Sequence, residues 1–126
     1  MKYIQTAAEL RLAIDNKESA RSCQCALGAC AGWESLAEFR WPRDQMQLVA
    51  TLRDVEEYEP RFDEFHPQGT RYDSAEAPIA LGFFPYNRCE VWRCAPCGRH
   101  VLRYTEFGGY NVDHRVRELD PAKIVD

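Results

Sequence analysis

No run in this chain approaches the roughly 20 apolar residues that a helix needs to cross a bilayer, so no helical membrane span is expected. Its first twenty residues, MKYIQTAAELRLAIDNKESA, lack a compact apolar stretch and are interrupted by Glu9, Arg11 and Asp15, which argues against a secretory leader. Also missing are a phosphate-cradling glycine loop, a dinucleotide-binding glycine pattern, a nucleophile elbow and a zinc-protease helix. The three histidines, His66, His100 and His114, stand in no local catalytic pattern, and solvated or core-satisfied roles are expected for them. No segment repeats. These absences lead to the expectation of a cytoplasmic protein with no catalytic residues, one that is not an enzyme.

What is present suffices for one domain over residues 1–126: hydrophobic residues make up 45% and aromatics 12%, enough for a modest core without disulfides. In a reducing compartment the six cysteines read as metal ligands or buried thiols, not as a disulfide framework. The net charge of −4 is unevenly spread. Residues 51–78 carry three arginines against eight carboxylates, a local charge of −5, which leaves +1 for the remainder. Such an acidic chain suits a phosphate backbone poorly. It suits a basic protein partner well, because complementary potentials speed encounter.

Local patterns suggest an α+β fold. Thr6-Ala7-Ala8-Glu9 matches a capping box, and Leu10, Ala13 and Ile14 share a face of the helix it would start, which should fade by residues 19–20. Residues 33–39 suggest a second short helix with Trp33, Leu36 and Phe39 turned to one side, ended by Trp41-Pro42. Residues 45–52 alternate weakly and fit a strand or a helix. Residues 53–77 form a long acidic connection punctuated by Pro60, Pro67 and Gly69, and the recurrence of Tyr58, Phe62, Phe65 and Tyr72 suggests that it is pinned to the body. The apolar run 78–84 reads as a buried strand. Residues 99–107 and 110–119 read as strands joined at Gly108-Gly109, and Ile124-Val125 as a cap on the sheet edge. The expected architecture is N-terminal helices packed on a small, mostly antiparallel sheet with a C-terminal hairpin.

Cys94-Ala95-Pro96-Cys97-Gly98 is a CxxCG turn, in which two intervening residues let both sulfurs face one metal and Gly98 curls the chain back. A thioredoxin-like site would need a helix after the first cysteine, whereas a strand-like run follows, so a zinc knuckle fits better. The second pair is expected from the CxC of Cys23 and Cys25, with Cys30 or Cys89 as substitutes and His100 as the nearest histidine. Were Cys89 and Cys94 on one strand, their odd separation would point them to opposite faces. The expectation is zinc held by Cys23, Cys25, Cys94 and Cys97. The competing reading is that these thiols are simply buried.

Arg99, Arg103, Arg115 and Arg117 with Tyr104, Phe107 and Tyr110 would suit a single-stranded nucleic-acid face, giving a zinc-ribbon nucleic-acid or transcription adaptor as the alternative function. Alternation, however, sets Arg103 beside Val101 and Tyr104 beside Leu102 on opposite faces, and points to cross-strand pairing with Glu106, Asp113 and Glu118. Residues 66–121, with PYNRC, CAPCGR, LRYTE and GGY in succession, resemble small bacterial proteins carrying a PYNRC/CxxCGR/LRYTE/GGY pattern, which look akin to immunity proteins of polymorphic-toxin and contact-dependent inhibition systems. The resemblance spans somewhat under half the chain. It implies a protein that neutralises a cognate, basic toxin by stoichiometric binding. The expected docking segment comprises Asp54, Glu56, Glu57, Tyr58, Glu59, Phe62, Asp63 and Glu64, where carboxylates steer and rings anchor.

Overall fold

Thr6 opens α1 (Ala7–Ile14) as its sequence suggests: the hydroxyl accepts from the Glu9 amide at 3.1 Å, and the Glu9 carboxylate returns to the same hydroxyl at 3.3 Å. Ala7, Leu10 and Ile14 are buried, and Ala13 packs against the same core. These features come from a computed structural model that describes residues 2–14, 32–54, 62–95, 98–108 and 111–125. The expected fading of the helix at residues 19–20 lies outside them.

The main sheet is six-stranded. Across it run β1 (Lys2–Tyr3), β3 (Met46–Thr51), β5 (Glu90–Cys94), β6 (His100–Gly108), β7 (Asn111–Glu118) and β2 (Glu34–Ser35). Only the β1/β3 pair is parallel; the other four are antiparallel, so the fold is α+β with a mostly antiparallel sheet. β4 (Ile79–Ala80) and β8 (Ile124–Val125) form a separate parallel pair, so residues 124–125 do not cap the main sheet. Among the described residues, no helix is long and apolar enough to cross a membrane.

Both faces of this sheet carry apolar residues. Val91, Leu102 and Tyr104 join Ile4, Leu10, Trp33, Ile79 and Ile124 in the larger core. Val101, Cys94 and Val116 turn the other way, into a smaller cluster with Leu36, Trp41 and Met46. This division explains why the expected second helix is absent. Residues 33 and 36 share a face on a helix, but on extended chain their odd separation sends Trp33 to the larger core and Leu36 to the smaller one. The chain satisfies both by running extended: β2 pairs with Val116 and Arg115, and the Leu36 amide donates to the His114 carbonyl at 2.8 Å. A 3₁₀ turn follows at Glu38–Arg40, leaving Phe39 88% exposed.

Residues 45–52 resolve as strand β3, and a register shift between Leu48 and Ala50 accounts for their weak alternation, since an extra residue breaks the period of two. The run 78–84 is strand only at Ile79–Ala80; the Phe83 amide then turns back to the Ala80 carbonyl. In the C-terminal hairpin Gly108 is still strand and pairs with Asn111, and the expected Gly108-Gly109 junction lies partly outside the described residues.

Candidate functional site

The acidic connection is pinned to the body where it is described. Phe62 packs against Phe84 with ring centroids 5.7 Å apart, and Phe65 stacks on Phe83 at 5.1 Å. The Arg88 guanidinium lies 4.4 Å from the Phe62 centroid and 4.8 Å from that of Phe84. The Phe84 amide donates to the Asp63 carbonyl at 2.8 Å. His66 bridges Glu64 and Thr70, each at 2.8 Å, and Gly69 turns the chain with a φ of 75° that favours glycine. Phe62 nevertheless remains 64% exposed, with Asp63 and Glu64 exposed beside it. Asp54 is half-buried. Glu56, Glu57, Tyr58 and Glu59 lie outside the described residues. The structure thus brings together Phe62, Asp63 and Glu64 of the expected docking set, on an aromatic platform made by residues 83–88.

Beneath that platform lies a hydrogen-bonded aromatic cluster. Trp33 meets Tyr104 edge-on at 4.9 Å and donates from Nε1 to the Tyr86 hydroxyl at 3.3 Å. Tyr72 and Tyr104 share a hydrogen bond, and Arg115 donates to the Tyr72 hydroxyl at 3.1 Å. Burial, then the hydrogen bond with Tyr72, pushes the Tyr104 phenol far above its ordinary range. Burial also raises Tyr72 and Tyr86. The phenols therefore stay neutral and serve as hydrogen-bonding spacers in the core.

The CxxCG turn closes β5 onto β6. The Cys94 amide donates to the Arg99 carbonyl and the Gly98 amide to the Cys94 carbonyl, both at 2.7 Å, with Gly98 at φ 76°. Gly98 thus curls the chain back as its position suggests. Cys94 is fully buried among Leu36, Trp41, Met46, Val101 and Val116. Cys23, Cys25, Cys30 and Cys97 lie outside the described residues. Cys89 packs in the larger core, donates from Sγ to the Pro85 carbonyl at 3.2 Å, and has its thiol pKa raised by burial. It sits across the sheet from Cys94, in the other core cluster. Strand alternation also turns His100 to the face opposite Cys94. No group of three or more metal-ligating side chains occurs among the described residues.

Most of the hairpin arginines are engaged within the protein. Arg99 pairs with Glu118 at 3.3 Å, and Arg115 with Asp113 at 2.8 Å and Glu106 at 3.3 Å, the partners that alternation suggests. Arg103 instead lies 4.2 Å from the Trp41 ring centroid and reaches Glu38 at 2.6 Å. Glu38 also meets Arg43 at 2.7 Å and His114 at 3.3 Å, and His114 meets the Thr105 hydroxyl at 3.1 Å. Burial opposes ionisation of Glu38, but the Arg43 hydrogen bond and the charges of Arg103 and His114 outweigh it and hold the carboxyl low. Sequence reasoning missed this hub, because the placement of Glu38 follows from β2 and not from a helix.

No family model, curated protein or solved structure matches this chain.

Proposed function

We propose that this protein is non-enzymatic and acts by stoichiometric binding, as an immunity protein that neutralises a cognate bacterial toxin. The observation that carries the reading is Phe62: a large ring left mostly exposed although Phe84 and Arg88 hold it, with two exposed carboxylates next to it. An ordered aromatic anchor loses little conformational freedom on binding. Flanking negative charge speeds approach to a basic surface, such as the phosphate-binding cleft of a nuclease. The resemblance of residues 66–121 to immunity-like proteins supports the same reading. A zinc ion on Cys23, Cys25, Cys94 and Cys97 belongs to it as a structural cross-link and supplies no chemistry.

The test is binding to the protein encoded beside this one, with association and dissociation rates measured separately. Phe62→Ala should raise the dissociation rate about tenfold or more and leave association nearly unchanged. Changing Glu56, Glu57 and Glu59 together to Gln should slow association, most at low ionic strength. Absence of a complex, or equal rates in these variants while they remain folded, would overturn the proposal.

A further inference from the structure

We infer that Arg117 positions the platform of Phe62 from inside the protein, an inference that rests on reading Phe62, Asp63 and Glu64 as part of the docking surface. β7 sets Arg117 opposite Leu102, and its side chain is wholly excluded from solvent. One terminal nitrogen donates to the Tyr86 hydroxyl; the other donates to the Ala77 carbonyl at 2.8 Å and the Ala75 carbonyl at 3.2 Å. Among the described residues no carboxylate pairs with this guanidinium, and its Nε has no acceptor.

A buried cation without an opposite charge is costly, and an apolar side chain would fill the same volume without that cost. What arginine adds is a rigid planar fork that serves separate elements at once. Ala75 and Ala77 lie where the acidic connection returns to the body, just before β4. Tyr86 begins the 3₁₀ turn Tyr86–Arg88, and Arg88 and Phe84 make the platform for Phe62. The turn that carries the ring's platform and the returning chain at Ala75 and Ala77 therefore converge on one side chain. The strand ladder of β5 to β7 has its own backbone bonds and does not depend on this convergence.

Hydrogen exchange on the full chain tests this without any partner. Arg117→Lys keeps the charge but gathers its donors at one point, and Tyr86→Phe removes one acceptor, which also serves Trp33. In each variant the amides of Gly69, Ala77 and Phe84, bonded to His66, Ser74 and Asp63, should exchange about tenfold faster or more, because a lost hydrogen bond to a charged group is worth that factor. Amides of β6 and β7 should keep their wild-type rates. Acceleration spread evenly over the sheet would make Arg117 a core residue only, and unchanged rates would make it passive; either overturns the inference. If Arg117→Lys does not fold, Tyr86→Phe decides by the same readout. A failure here leaves the docking proposal standing, since that is judged by rates of complex formation. Failure to form a complex leaves the exchange result intact but removes its functional meaning.

Discussion

The two faces of the main sheet are built differently. The larger face buries a hydrogen-bonded aromatic cluster around Trp33 and seals it beneath residues 62–88. The smaller face is covered by a short stretch with two 3₁₀ turns, Leu36 to Met46, and its charged residues meet at Glu38, a carboxylate 43% exposed. Trp33 and Trp41 are equally buried, at 6% exposure. Yet, among the described residues, Trp33 has three aromatic neighbours and a hydrogen-bond acceptor, whereas Trp41 has Trp92 and the guanidinium of Arg103. Equal burial thus conceals unequal anchoring, and the energetic weight of a residue follows from what it touches.

The sharpest test of that contrast replaces each tryptophan by alanine. Trp33→Ala should cost about 3–5 kcal/mol, the usual range for a buried large aromatic. Trp41→Ala should cost less, by roughly 1 kcal/mol or more, because surface ion pairs beside it are weakly coupled to folding. Urea denaturation measures both, and equal losses would break the comparison.

Metal content is the next lever, because Cys94 belongs to the smaller face. Protein purified under reducing conditions without chelator should carry about one zinc per chain, and Cys97→Ser should then cost several kcal/mol. Finding no metal would leave Cys94 as a buried thiol and the smaller face resting on packing alone.

The smallest effect is in pH dependence. Burial, with Arg93 nearby, lowers the His100 pKa, so the unfolded chain takes up a proton first and stability falls as pH drops below the ordinary histidine range. Glu38 is held low as well. Its contribution is full above the ordinary carboxylate range and is lost as pH falls through its depressed value. Glu38→Gln should remove the more acidic limb of a melting-temperature profile and leave the limb due to His100. An unaltered profile would show that the Glu38 hub contributes nothing to holding the smaller face.

How much of this was legible beforehand depended on how local the signal was. The capping box at Thr6 needs only four residues, and the hairpin strands show in their own alternation. The opposite placement of Arg103 and Tyr104 followed from counting. The extended course of residues 33–36 was hidden because a spacing of three fits one helical face or two sheet faces equally well, and only the presence of two cores decides. Arg117 was hidden for a related reason. Near its end β7 is covered on both sides, so neighbours Val116 and Arg117 are both buried and alternation gives no polar side to read there. Of the docking segment, its attachment to the body was legible from its aromatics, but not that Phe62 would stay exposed on its platform.

One further consequence concerns the order in which the chain can fold. α1 lies near the start of the sequence, yet it shares its core with Ile124, and Arg11 donates to the Ile124 carbonyl across a separation of 113 residues. β1 likewise finds its partner only at Ala50 and Thr51. During synthesis the part of the α1 face that meets Ile124 is therefore covered only after residue 124 has emerged, whereas the hairpin of β6 and β7 needs only its own two strands. Contacts of such long range slow folding, so a chain shortened before residue 124 should leave that part of α1 uncovered.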